Sequence, residues 1–228
     1  MKEIISITKK NNFTFLLAGM CIFCFALFVF RSLITHTPHY FFLNWNLFLA
    51  GIPWVLSVVI ISVKEKNALL NFFLFILWLL FFPNSLYIIT DLFHLRNETA
   101  FPIWYDLILI TSFAWAGLMM GFSSLINIRI FLIKFLPVNV TNLILAALLF
   151  LGSFGVYVGR YLRWNSWDLI ANPLPMMIDI KERIAHPMYH TGTWGMTLLL
   201  GFLLNMMFWT FIIAFKNKQS EIHKENHE

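Results

Sequence analysis

Apolar runs of about twenty residues, the length that crosses a bilayer as a helix, recur along the chain. Each ends in charged or turn-forming residues. Six are read, at residues 13–30, 40–63, 68–89, 103–125, 142–162 and 193–215. Between them stand Arg31, "KEK" at 64–66, "HLRNE" at 94–98, Arg129 with Lys134, and a long mixed loop after Arg160. The pattern predicts an all-α integral membrane protein with six transmembrane helices. Residues 1–215 form one helical domain, and residues 216–228 a polar cytoplasmic tail. The loop also contains Met177, Ile180 and Ile184 at helical spacing, opposite Asp179, Lys181, Glu182 and Arg183. That is the pattern of a short interfacial helix before the last span.

The third run carries an internal break, "LLFFPNSLYIITDLFHL" at 79–95. Pro83 has no N–H and disfavours helical geometry at Phe82, so the third helix is expected to kink there. If the helix resumes, steps of about 100° carry Asn84, Tyr87, Asp91 and His94 onto one stripe. Polar groups aligned on an apolar helix face protein or water rather than lipid. The alternative is local: Asn84 mends the kink, and Asp91 and His94 mark the interface.

Composition agrees with the pattern. Of 228 residues 60% are hydrophobic and only 12% charged, against ~25% in soluble domains, and the mean hydropathy is +0.76. The loops have no room for a soluble catalytic or nucleic-acid-binding domain. The net charge of +5 lies between the apolar runs, where it sets orientation rather than binding nucleic acid. With the N-terminus inside, ten Lys and Arg fall on the cytoplasmic side and six outside, so an N-in, C-in topology is expected. Trp45, Trp104, Trp164, Trp167 and Trp194 then mark the outer helix ends. Cys21 and Cys24 read as core residues of the first helix, and the first run reads as an uncleaved span because no A-x-A site follows it.

The candidate chemistry gathers on the expected outer side. Asp91 and His94 are candidates for acid–base work, and Asn84, Tyr87, Asp106, Arg160, Arg163 and Asp168 for binding a ligand, the arginines holding an anionic group. Asp106 also suits a helix N-terminus. Gly152, Gly155 and Gly159 form a row that admits a close neighbour; Arg163 falls near that row and is expected to pair with a carboxylate. Asp91, His94, His186 and His190 are candidate metal ligands, although Pro187 disturbs the spacing of the last two. The sequence contains no nucleotide or cofactor fingerprint, and no cofactor is assigned.

The blocks "LNWNLFLAGIPW", "LLFFPNSLYIITDLFHL", "IWYDLILITSFAWAGL" and "GRYLRWNSWDLIANP" together resemble the DUF1361 family over roughly residues 40–212. The resemblance implies a multi-pass protein of a bacterial plasma (inner) membrane and supplies no activity. The reading reached is a membrane protein with an outward-facing polar pocket that recognises or processes a lipid or cell-envelope precursor at the outer leaflet. Membrane lipids and a lipid-like or anionic ligand are the expected partners. A transporter and a non-catalytic partner subunit of a membrane complex are the alternatives, and the sequence leaves open whether the protein is an enzyme.

Overall fold

The computed structural model describes residues 11–63, 68–95 and 101–225. The basic residues counted at 2, 9, 10, 64, 66 and 96, together with Glu98 and His227, lie outside them. Among the described residues the chain is helical throughout: α1 Asn11–Thr35, α2 Phe41–Ser62, α3 Ala68–Tyr87, α4 Ile103–Leu132, α5 Val138–Tyr161, the short α6 Asp168–Ala171, α7 Pro173–Ala185 and α8 Thr191–Glu225. Tight 3₁₀ segments follow α3 at Ile88–His94 and precede α8 at Pro187–His190. Six helices are long and apolar enough to cross a membrane. They fall where the hydropathy pattern put them. Several ends differ: α1 runs on to Thr35, α4 to Leu132, and α8 stays helical past residue 215, because Lys, Gln and Glu are good helix formers.

α4 is the central element, packed against α1, α2, α3 and α5, while α8 closes on α5. Its core includes Leu109, Phe113, Leu118, Phe122, Leu125 and Ile128. The peripheral helices turn long apolar faces outward, among them Phe15, Ile22, Leu69, Phe72, Leu199 and Met206. A soluble protein would not expose such faces; in lipid they require no cover.

The end of α3 is gripped from two sides by glycines. A Cβ built on Gly117 or Gly121 of α4 would meet Ile88 at 2.5 Å or Ser85 at 2.6 Å. On the other side, Gly152 and Gly155 of α5 face Leu86 and Pro83 at 2.6 Å each. The glycine row read from the sequence thus seats one helix, and the residue it admits is Pro83. Gly155→Ala is expected to destabilise the fold by about 1–3 kcal/mol, because the proline ring cannot rotate out of the way. Gly195→Ala is the control: nothing lies within 4 Å of that position, so alanine should be neutral or stabilising there. Thermal unfolding in detergent compares the two, and equal melting temperatures would remove the claim.

The α-helix passes through Pro83 and tightens only after Tyr87. Ile88, Ile89 and Thr90 supply the local reason: three β-branched residues in a row weaken α-helix propensity. The Thr90 hydroxyl also donates to the Tyr87 carbonyl at 2.6 Å. The carbonyls beside the proline gap receive side-chain donors. Asn84 Nδ2 donates to Phe81 O at 3.1 Å, and Ser166 Oγ to Leu80 O at 2.9 Å.

Candidate functional site

The 3₁₀ segment decides which polar groups meet. Its 120° step, replacing 100° from Tyr87 onward, turns Asp91 by roughly 80° from the line an uninterrupted α-helix would follow from Asn84. Asn84 and Asp91 consequently serve different places. Asn84 donates to Ser166 Oγ at 3.0 Å and ties the loop after α5 to α3. Asp91, fully buried, turns to α2 and α5.

Around Asp91 the bonding is dense. Asn46 Nδ2 donates to Oδ2 at 2.8 Å. Arg160, near the end of α5, places NH1 at 3.4 Å from Asp91 Oδ1 and 3.0 Å from the Tyr87 hydroxyl. Its NH2 donates to the Thr90 carbonyl at 2.5 Å and lies 3.1 Å from His94 Nδ1. His94 Nδ1 also lies 3.3 Å from the Asp91 carbonyl oxygen, so it faces both a donor and an acceptor. The guanidinium also lies over the Tyr87 and Phe93 rings, 5.4 Å from each centroid. Arg160 thus ties together Tyr87, Thr90, Asp91 and His94.

Asp106 stands in a second ion pair, with a residue that the sequence reading treated as punctuation. Arg31 Nε and NH2 reach its two carboxylate oxygens at 2.5 and 3.1 Å. The Tyr40 hydroxyl donates to Oδ2 at 3.1 Å, and the Tyr40 ring lies 4.4 Å from the guanidinium carbon. Arg31 and Asp106 are 2% and 0% exposed, a closed pair joining α1 to α4. A span-end arginine with an acidic residue in another helix's first turn was the available signal.

The other candidates lie apart from these clusters. α5 ends at Tyr161, and Arg163 follows in the left-handed position that closes many helices, φ 61°. It is exposed, and among the described residues no carboxylate bonds it. Asp168 accepts the Asn165 backbone N–H at 2.7 Å, a local turn. His190 lies 4.0 Å from Glu182. Among the described residues no group of three His, Cys, Asp or Glu side chains is arranged to hold a metal; His186 and His190 do not join Asp91 and His94.

Beside the Arg160 cluster is a cavity of about 670 Å³ between α3, α5, α7 and α8, within the usual range for small-molecule sites. Leu79, Leu80, Phe150, Leu151 and Phe154 line it along the middle of α3 and α5, and Asn84, Tyr87, Trp164, Asn165 and Ser166 towards the ends of those helices and the loop after α5. Tyr87 is common to both features: its ring lines the cavity and its hydroxyl bonds Arg160. α7 adds Met176, Ile180 and Ile184. The sequence reading put Met177 on this face; instead Met176 is buried and Met177 exposed. Trp164 and Trp194 tie the outer helix ends expected of them to α7. Their indole N–H groups donate to Asp179 Oδ2 at 2.8 Å and to Arg183 O at 3.0 Å, fixing α7 over the cavity.

A further polar group, absent from the sequence reading, lies towards the opposite ends of α2, α3 and α4. Ser57, Asn71, Ser124 and Asn127 are all buried. Asn127 Nδ2 donates to Ser57 Oγ at 3.0 Å, and Trp78 Nε1 to Ser124 Oγ at 3.3 Å. These residues are scattered singly through apolar text, and only packing collects them.

No curated protein and no solved structure matches the chain. The pattern of one family matches residues 45–207, from α2 well into α8, and covers Asn46, the Pro83–His94 segment, Arg160 and the cavity. This multi-pass membrane protein belongs to DUF1361, a family described as a protein of unknown function.

Proposed function

We propose that the protein recognises an amphiphile, a lipid or cell-envelope precursor, with its tail in the cavity between α3, α5, α7 and α8. The observation that carries this reading is a largely apolar cavity wall along α3 and α5 with amide and hydroxyl groups gathered towards the ends of those helices. From Ile76 to Asn84 the α3 wall rises about 12 Å, close to one leaflet's half of a ~30 Å hydrocarbon core. In the N-in orientation favoured by the Lys and Arg distribution, that leaflet is the outer one of a bacterial plasma membrane. Pro83 lies on that wall. Arg160 and Asp91 hold Tyr87 in place. Burial of Asp91 and engagement of both its oxygens favour recognition over processing.

Leu169 lines the cavity and is partly exposed, so Leu169→Trp should fill the space without disturbing the core. Lipid extraction and mass spectrometry of the purified protein should find that most tightly retained amphiphile is lost in this variant. Unchanged retention would sink the reading.

Transport is a second reading, favoured by the buried seam of Ser57, Asn71, Ser124 and Asn127. Thiol labelling of a cysteine placed at Asn127 in membranes decides it: a site sealed from water removes transport.

A further inference from the structure

Resting on the amphiphile reading, we infer that the ligand's head group is uncharged and bears hydroxyls, as in a glycolipid, and is not an anionic phosphate. Among the described residues, the lining of the cavity carries no Lys, Arg, His, Asp or Glu. Two cations that flank it, Arg160 and Arg183, are bonded to neighbouring residues, while Arg163 and Lys181 are exposed and outside the lining. Arg160 has Asp91 Oδ1 at 3.4 Å, with Tyr87, Thr90 and His94 on its remaining contacts. On α7, Arg183 NH1 has the Asp179 carbonyl at 2.7 Å and its carboxylate at 3.6 Å. An anion entering here would lose hydration without gaining a counter-charge, a large penalty in a low-dielectric site.

The lining offers neutral partners instead. Both contacts of Asn84 Nδ2 go to Phe81 and Ser166, leaving its carbonyl oxygen as the acceptor. The Asn165 side chain donates to Asp168 at 3.2 Å and likewise retains its carbonyl. Tyr87 accepts from Arg160 at 3.0 Å and keeps its own O–H. Thr197, on α8, supplies the second pointer to a ligand: it lines the cavity, is 4% exposed, and its hydroxyl has no hydrogen-bond partner among the described residues. Buried hydroxyls are normally bonded. Two amide carbonyls and two hydroxyls suit a group that both donates and accepts, as sugar hydroxyls do. A phosphate oxygen only accepts, and would face the two carbonyls unfavourably.

The test uses the full chain in nanodiscs containing equal amounts of three lipids with the same acyl chains: a glycosyl diacylglycerol, phosphatidylethanolamine and phosphatidic acid. After extraction into mild detergent, retained lipid is quantified by mass spectrometry. The glycosyl lipid should be enriched over both others. Thr197→Val, which removes the hydroxyl and keeps the shape, should lower that enrichment roughly fivefold, the equivalent of one hydrogen bond, at an unchanged melting temperature. Enrichment of phosphatidic acid or phosphatidylethanolamine instead, still abolished by Leu169→Trp, would overturn the head-group inference and leave the cavity reading standing. No enrichment of any lipid, with no effect of Leu169→Trp, would overturn both.

Discussion

Replacing Arg31 with methionine is expected to destabilise the protein by about 3–5 kcal/mol, the usual penalty for leaving one charge of a buried pair alone. Asp106 is fully buried and receives Arg31 through two hydrogen bonds and Tyr40 through a third. Without the guanidinium its carboxylate keeps only the phenol among these donors. The loss should appear as a lower melting temperature in detergent and weaker protection of α1 from proteolysis. The double variant Arg31→Met with Asp106→Leu should recover much of it, because replacing both partners of a buried pair is often near neutral. Arg163→Ala is the control. Its side chain is exposed, so the change should stay within about 0.5 kcal/mol. Equal effects at Arg31 and Arg163 would contradict this assignment of the buried pair.

Asp91→Asn is expected to be comparably severe despite its near-identical shape. Both carboxylate oxygens accept, one from Asn46 at 2.8 Å and one from Arg160 at 3.4 Å. An asparagine has only one acceptor oxygen, so its NH₂ must face one of those donors. The Arg160 charge would also lose its carboxylate. A cost of about 3–5 kcal/mol follows. The damage should spread to the cavity, since Arg160 would no longer hold the Tyr87 hydroxyl. Tyr87→Phe removes only that hydroxyl and should cost about 1 kcal/mol. Thermal unfolding orders these variants. An Asp91→Asn protein as stable as the parent would remove the claim that Asp91 anchors Arg160.

The helices were legible in the sequence because span length and hydropathy answer to a single physical constraint, the thickness of a bilayer. The glycine row on α5 was legible for a similar reason, since small residues at helical spacing have few uses other than close packing. The grouping of Tyr87, Asp91, His94 and Arg160 was anticipated in part, as an aligned stripe with arginines near it. Its actual geometry depends on the change from α to 3₁₀ winding after Tyr87. That change is written in three β-branched residues, a weak signal that packing between two glycine surfaces makes decisive. The Arg31–Asp106 pair was missed because a basic residue at a span end looks like a topology marker unless its partner is known. Arg163 was assigned to the glycine face because helical periodicity was extended past Tyr161, where the backbone turns left-handed. The cavity could not be read from any local stretch: its lining comes from α3, α5, α7, α8 and the loop after α5, brought together only by the fold.

The most direct measurement is an experimental structure of the full chain in nanodiscs formed from its native membrane. The account predicts elongated density against Leu80, Phe150 and Phe154, ending in a compact head beside Asn84, Tyr87 and Thr197, and interruption of that density in the Leu169→Trp variant. A cavity closed by side chains, or filled only by annular lipid that is unaffected by Leu169→Trp, would contradict it.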